Sequence, residues 1–593
     1  MVRETSISEF YKKLRAAART AISHYPLHIY PSTTDADSLC ALKIIISICA
    51  KDGLRYSCFP VSSFEDLIEL AGKKLISQND PLAVLLINCG SSEDLRRFFK
   101  LGPKIRMFVI DSHRPIHLHN LHKLNKNVIV LYTREDENHG DLAYDFDVSA
   151  LANTAAFDSD DDEEGDDSES DDSDDSDEEE NRTSKRRRLG ESGEDDIAAM
   201  KLLKKCRSKY YRSGKFYGRP SGMLMFDMAY LTHTNTDELL WLACVSLTDQ
   251  FVHDRITNER YISGVMELEQ HVNSAGHLEM VTSATLKDGT KVRAPDHCRI
   301  TYQEEPKVVL LREWNLFDSM QCSPYVATKL KTWSENGMKR MKLLLAQMGI
   351  PLTESQQKFR YMSRDSKKRL KLEIEKFSSQ YGLNDLYYRS FQRHHGYTSQ
   401  ICAADFVCGV TALIESWRDE SKKSISEQFW LACSCLSLSN LGELEKGLKM
   451  GVAVQSSIFR QGSFAMTKRG FIKSTRGFRW IRLEDSGDVS LMCYPQALIR
   501  FCHFVIDALR EKGTKTKPLV CACPFPRSKN VLLVGVSQRP VLGAHFGNLF
   551  GLAFRAVAKE IGEEYGHFGF DSSWIKIDFQ NVNAFMQKIA EKF

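Results

Sequence analysis

At 593 residues the chain is too long for a single hydrophobic core and implies three or four domains. Its 42 % hydrophobic content is ordinary for a folded protein, and its longest apolar runs, such as 81-PLAVLLIN-88, fall far short of a bilayer span, which argues against a membrane partner. The formal charge of +2 averages two unlike parts: residues 158–180 hold 17 acidic groups and no basic one, which leaves the rest of the chain at +19, a balance that favours polyanions or acidic protein faces.

The first twenty residues, MVRETSISEFYKKLRAAART, are polar and amphipathic, with neither a secretory apolar region nor the acid-poor composition of a transit peptide. Next, strands and helices alternate. PLHIYP (26–31) reads as a strand, followed by STTDADS and the helix LCALKIIISICA. LRYSCFPV (54–61), PLAVLLIN (81–88), KIRMFVI (104–110) and NVIVLYT (127–133) read as further strands, and Ser91 or Ser92 is placed to cap the helix after the third. Continuous apolar strands separated by helices indicate a parallel sheet covered on both faces.

Residues 155–197 cannot bury enough apolar surface to fold and read as a disordered insertion. Its serines lie in acidic context, as with Ser159 and Asp162, which suits an acid-directed kinase. The compact basic cluster Lys185, Arg186, Arg187 and Arg188 that follows reads as a nuclear import signal, so the expected location is the nucleus.

Beyond it, residues 199–273 read as mostly helical and 299–311 as paired strand. Helical periodicity returns over 314–419, punctuated by Gly349 and Pro351. From 452 onward VAVQSSIFRQG, FRWIRLED, KPLVCACPF and NVLLVGVS read as strands, before the helix NLFGLAFRAVAKEIGEEYG. The 16 cysteines show no CxxC…CxxC pattern and are expected to be reduced and mostly buried. Three histidines in HLHNLH (117–122) and the adjacent His394 and His395 read as surface or packing residues. The base-aromatic mixture KYYRSGKFYGR (209–219) reads as core packing ahead of a stacking surface for single strands.

Ligands of an open parallel sheet bind beyond the carboxyl ends of its strands. Asp35 and Asp37 follow the first strand, Asn88 the third, and Asp111 and His113 the fourth; Asp249 comes from beyond the insertion. Carboxylates and an imidazole at one edge could hold Mn²⁺ or Mg²⁺, and two such ions could activate water for in-line attack on a phosphodiester.

TDADSL, LINCG, VIDSHRP and ELLWLACVSLTDQ resemble, in order, the metal-binding elements of the DHH phosphoesterase superfamily, which includes the RecJ single-strand exonuclease. Six separated elements, DADSLCALKI, LINCG, DSHRP, LWLACVSLTDQFVHDRI, LLLAQMGIPL and NLFGLAFRAVA, resemble the eukaryotic cell division control protein 45 family across essentially the whole chain. The resemblance implies an α/β fold: a RecJ-like DHH domain with a parallel sheet in two parts, 1–154 and 198–298, around the acidic insertion 155–197. A mainly helical interaction domain over 299–425 and a DHHA1-like α/β domain over 426–593 complete it.

Departures from the enzyme pattern decide the expected chemistry. The motif glycine is Ser38, the third-strand Asp is Asn88 and the middle His is Ser112, while Asp35, Asp37, Asp111, His113 and Asp249 remain. That set reads as a vestigial site with no catalytic residue and no required cofactor, though a vestigial Mn²⁺ or Mg²⁺ is compatible with it. Gly543, His545 and Gly547 lie where the related enzymes hold the nucleic-acid strand, and read either as a phosphate contact or as a tight turn. The resemblance implies a non-catalytic subunit of the replicative helicase with the MCM ring, the GINS complex, fork factors including DNA polymerases, and weakly held single-stranded DNA as partners. The other readings left open are a Mn²⁺-dependent single-strand nuclease or phosphoesterase and a nuclear single-strand binder acting alone.

Overall fold

A computed structural model describes residues 3–592 except 22–23, 73–80, 100–103, 124, 134–145, 155–191, 277–282, 286–290, 294–298, 396–398, 418–420, 438–439, 544–546, 563–565 and 568. The acidic tract, the basic cluster 185–188 and His545 therefore lie outside the described residues.

The first sheet is built from β1 (Arg3–Glu4), β2 (Leu27–Pro31), β3 (Tyr56–Cys58), β4 (Leu82–Ile87), β5 (Ile105–Ile110) and β7 (Val128–Leu131), with β6 (His113–Arg114) set apart. Its order is β1-β7-β5-β4-β2-β3, and every neighbouring pair is parallel. Ile29, Leu85, Phe108 and Ile129 stand in register across it. β2, β4 and β7 are buried along their whole length, which explains their unbroken apolar sequences. The chain runs outward from β2 in one direction to β3 and in the other to β4, β5 and β7, so the crevice between β2 and β4 is the switch point where ligands of such sheets bind.

One face of the sheet is covered by helices Ile7–Thr20 and Ala36–Asp52. Helices Ser221–Leu231 and Asp237–Val252, from beyond the insertion, pack onto Ala36–Asp52 and complete that core. The other face buries Leu95, Phe99, Ile116, Leu118, Leu151 and Tyr210. β8 (Phe216–Tyr217) pairs antiparallel with β6, which fastens the segment after the insertion to the end of β5.

After a short hairpin of β9 (Ser283–Thr285) and β10 (Lys291–Arg293), β11 (Ile300–Pro306), β12 (Tyr387–His395) and β13 (Ser399–Cys402) form an antiparallel sheet. Between β11 and β12 a helical block buries its own core around Leu316, Met320, Leu344 and Leu370. The last sheet orders β14 (Lys473–Ser474), β15 (Arg479–Arg482), β16 (Leu519–Pro524), β17 (Asn530–Val536), β19 (Trp574–Asp578) and β18 (Gly566–His567) in that sequence. Helix Pro495–Glu511 covers one face, and Phe550–Ile561 with Val582–Lys592 covers the other.

Several local expectations change, and helix Ser192–Arg212 begins inside the expected disordered insertion 155–197, taking up its last six residues. VAVQSSIFRQG is not a strand but part of helix Leu441–Thr467. The helix buries Leu444, Leu448, Gly451, Gln455, Ile458, Phe459 and Gly462, a helical spacing whose packing outweighs the β-branched Val452 and Val454. Residues 387–395, expected to be helical, are β12, so His394 and His395 lie on a strand; pairing with β11, more than eighty residues earlier, decides the matter. Of 299–311, only Ile300–Pro306 is strand. The helix after β4 is capped by Asp94, whose Oδ1 accepts from the Arg96 and Arg97 amides, rather than by Ser91 or Ser92. The fifteen cysteines among the described residues are free thiols, and most are buried, as expected.

Candidate functional site

Asp35 caps helix Ala36–Asp52, its Oδ1 accepting from the Ser38 amide at 2.7 Å, and so stands at the end of β2. Asp37 follows in the first helical turn, where the helix dipole favours an acid. Asn88 leaves β4 with φ of 51°, a left-handed turn that an asparagine tolerates, and this aims its side chain into the switch-point crevice. Asp111 and Ser112 follow β5, and Asp249 arrives on helix Asp237–Val252. All six side chains and His113 are buried.

Asn88 is the centre of the arrangement. Its Nδ2 donates to Asp35 Oδ1 at 3.1 Å and to Asp37 Oδ2 at 2.9 Å. Its Oδ1 accepts from the Ser112 amide at 3.1 Å and from Ser221 Oγ. Both donors and both acceptor positions of the amide are thereby used. Asp37 also accepts from the amides of Ser221 at 2.9 Å and Gly222 at 2.8 Å and from Ser246 Oγ. Burial first, and the Asp35 charge second, push the Asp37 carboxyl up to about 6, against the hydrogen bonds from Ser246 and Asn88.

Asp111 pairs with its neighbour two residues on: Oδ1 lies 2.7 Å from His113 Nδ1 and accepts from the His113 amide at 2.9 Å, while Oδ2 accepts from the Ser91 amide at 3.2 Å. Burial alone would raise its carboxyl, but the imidazole and these hydrogen bonds hold it below the usual range. Asp249 is met by Arg255, whose Nη1 donates to Oδ2 at 2.9 Å, and by His253, whose Nδ1 is 3.1 Å from Oδ1. Its carboxyl too is opposed first by burial and then drawn below the usual range by Arg255 and His253.

Arg255 was not apparent as a site residue, although it lies six positions after Asp249 in TDQFVHDRI. Its guanidinium stands 5.2 Å over the Tyr217 ring and interacts with the charges of Asp35 and Asp571 as well as Asp249. The Tyr217 hydroxyl donates to Asp571 Oδ2 at 2.9 Å, and the buried Lys215 ammonium lies 2.8 Å from the same oxygen. Burial pulls the Lys215 amine down, partly offset by Asp571. Asp571, in the C-terminal domain, carries no sequence pattern that marks it, and neither do Ser221 and Ser246.

Asp35 and Asp37 meet at Asn88, whereas Asp111 turns to His113 and Asp249 to Arg255, so among the described residues the four carboxylates do not close into one ligand cluster. A divalent ion between them would need the lone pairs that Asp35 and Asp37 turn toward each other, and those are bridged by the Asn88 NH₂ group. Asp249 gives Oδ2 to a guanidinium, and its Oδ1 lies 3.1 Å from the His253 ring nitrogen. Hydrogen-bond donors and cationic side chains stand where oxygen-seeking metal charge would act, so the residues as placed do not fit Mn²⁺ or Mg²⁺.

Beside this network a cavity of 340 Å³ opens toward the C-terminal sheet, lined by Lys215, Tyr217, Arg255, His503, Arg539 and Asn548 among others. Gly547 closes it through a backbone approach: its amide donates to the Ser213 carbonyl at 2.6 Å, and a β-carbon there would stand 2.2 Å from the Lys215 carbonyl oxygen. The Gly547 amide is thus committed to the turn rather than presented to a phosphate, while Gly543, at φ of 75°, has open space around it. Of the base-aromatic segment Tyr210 is buried, its hydroxyl donating to the Ile116 carbonyl at 2.8 Å, while Tyr211 and Tyr217 are partly exposed.

No helix among the described residues is long and apolar enough to cross a membrane. The family model CDC45 matches residues 27–592. The Cell division control protein 45 homolog of Schizosaccharomyces pombe is 28 % identical over 641 residues, covering 100 % of this chain and 99 % of that protein. The human Cell division control protein 45 homolog is 28 % identical over 574 residues, 94 % of this chain and 95 % of that one. The crystal structure of CDC45 from Entamoeba histolytica shares the fold with a TM-score of 0.68 at 21 % identity, covering 100 % of this chain and 99 % of that chain. With a family match over nearly its whole length and full-length relatives from yeast to human, the chain belongs to the CDC45 family of DNA replication proteins.

Proposed function

We propose that the chain is a non-catalytic subunit of the eukaryotic replicative helicase. It bridges the MCM ring and the GINS complex in initiation and elongation, works in the nucleus beside the replicative polymerases, and holds single-stranded DNA weakly. The observation that carries the non-catalytic part is the Asn88 amide between the Asp35 and Asp37 carboxylates. A neutral donor there removes a bridging charge and occupies the lone pairs an activating ion would need. Family membership over the whole chain supports the helicase part.

In this reading the acids are retained as structural groups. Asp35 caps a helix, Asp37 receives the start of helix Ser221–Leu231, and Asp249 holds Arg255 beside the C-terminal domain. Binding both MCM and GINS calls for interfaces of order 1,000 Å² each, and the helical block between β11 and β12 provides a separate body for one of them.

The test has two arms. The purified chain is incubated with labelled single-stranded DNA and Mn²⁺, beside Asp111→Ala; and the chain, with and without the block between β11 and β12, is mixed with purified MCM and GINS. No cleavage by the natural chain and a stable ternary assembly are expected, with the deletion weakening it. Cleavage lost in Asp111→Ala would replace this reading with the nuclease that the strand-end carboxylates otherwise suit.

A further inference from the structure

The histidines of HLHNLH follow the Asp111–His113 pair but face elsewhere. His117 and His119 meet Asp94, from the loop after β4, and one ligand atom from each of the three lies within 4.8 Å of the other two. We propose that Asp94, His117 and His119 form a binding site for zinc or a similar divalent transition metal, separate from the strand-end carboxylates and independent of the function proposed above.

The geometry has two supports. First, the donors are already drawn together: His119 Nδ1 is 2.9 Å from Asp94 Oδ2, and the His117 and His119 ring centroids are 5.0 Å apart. Second, the two backbone segments that carry them are locked by Asn120, which is fully buried. Its Oδ1 accepts from the Leu95 amide at 3.2 Å, and its Nδ2 donates to the carbonyls of Ser91 at 3.2 Å and Glu93 at 2.7 Å. Asp94 spends Oδ1 on the helix cap, which leaves Oδ2 turned to the imidazoles.

Two imidazoles with one carboxylate are a borderline donor set that suits Zn²⁺ and disfavours Mg²⁺ and Ca²⁺. A tetrahedral ion with bonds of about 2.0–2.1 Å sets its donors roughly 3.4 Å apart, so closure asks for side-chain shifts of about an ångström. All three residues are partly exposed, which leaves the fourth position to water. The ion would brace a joint: the neighbouring Glu93 pairs with Arg555 of helix Phe550–Ile561 at 2.7 Å, and the His117 amide donates to the carbonyl of Ser91, whose own amide holds Asp111.

The test is a cobalt titration of the full chain followed in the visible range, with zinc displacement. One equivalent is expected to give intense four- or five-coordinate bands without a thiolate charge-transfer band, bleached by Zn²⁺. Asp94→Asn, which keeps the capping oxygen, and His117→Gln/His119→Gln should each weaken it at least tenfold, while Asp37→Asn leaves it unchanged. Circular dichroism confirms that each variant folds. The proposal is overturned by a pale six-coordinate spectrum alone, by a thiolate band, or by a signal that survives both variants or disappears in Asp37→Asn.

Discussion

Replacing the Asn88 amide by a carboxyl should expose how the crevice is balanced. Asn88→Asp puts an oxygen where the nitrogen now stands, 3.1 Å from Asp35 Oδ1 and 2.9 Å from Asp37 Oδ2. An ionised carboxyl there would lose both hydrogen bonds to the carboxylates and a protonated one would keep one, each bond contributing about 1.5–3 kcal/mol. A third charge at that range would add roughly 5 kcal/mol per pair at an effective dielectric of about 20, so the new carboxyl keeps a proton in the folded state and donates one bond. Holding that proton costs about 1.4 kcal/mol per pH unit above an unfolded pKa of about 3.9. With the one lost hydrogen bond added, the expected deficit is roughly 6.5–8 kcal/mol at pH 7.5 and about 2.7 kcal/mol smaller at pH 5.5, because a raised carboxyl destabilises increasingly as pH rises. Amide exchange at Leu85 and Leu86 in β4 measures it locally, which avoids assuming that a multidomain chain unfolds in one step. Mn²⁺ should restore protection in Asn88→Asp and leave the natural chain unaffected. Equal protection at pH 7.5, or a deficit that does not shrink toward pH 5.5, would refute the reasoning.

Arg255→Met leaves the fully buried Asp249 without its guanidinium and should cost about 3–5 kcal/mol, with Arg255→Lys recovering part; an unchanged melting temperature would contradict the pairing. The Asp37 and Asp111 carboxyls should act oppositely with pH. Asp37, pushed up to about 6, destabilises as pH rises from about 4 to 6, and Asp37→Asn removes that slope; Asp111, held low by His113 against its burial, stabilises above about pH 4 and loses this as acid protonates it. Urea melts across pH 3–7 distinguish the two signs. Gly547→Ala drives a β-carbon against the Lys215 carbonyl and should cost about 1–3 kcal/mol by loosening the C-terminal loop; melting like the natural chain would show that the turn adjusts freely.

The central strands of the first sheet are legible in sequence because they are buried along almost their whole length, so each announces itself as an apolar run with a polar cluster where it stops, whereas the edge strand Arg3–Glu4 carries no such signal. The carboxylates could be read from that placement, and Asn88 and Ser112 from their departure from the resembled pattern. What filled the space could not. Arg255, Lys215 and Asp571 reach the crevice through helix packing and through a contact between Lys215 and Asp571 that spans 356 positions, and no local pattern encodes such a pair. The misread helix at 441–467 shows the complementary failure. Its β-branched residues speak for a strand locally, while its small and apolar residues at helical spacing speak for packing that becomes visible only with the neighbouring helices in place. Likewise β12 lacks a nearby partner in sequence and pairs with a strand on the far side of a whole helical block.

The cover of the first sheet has a consequence for synthesis. Helices Ser221–Leu231 and Asp237–Val252, which close the core over Ala36–Asp52, are made only after residues 155–191 have been translated. At about 5–20 residues per second, the ribosome needs roughly 5–20 s to carry the chain from residue 154 to residue 252. For that interval the sheet can pair its strands while the face of Ala36–Asp52 that these two helices later cover stays open to solvent. The nascent chain thus carries an uncovered apolar surface through the middle of its own translation. A holdase that engages the ribosome-bound chain within that window, and leaves once residue 252 clears the exit tunnel, is what this order of assembly calls for.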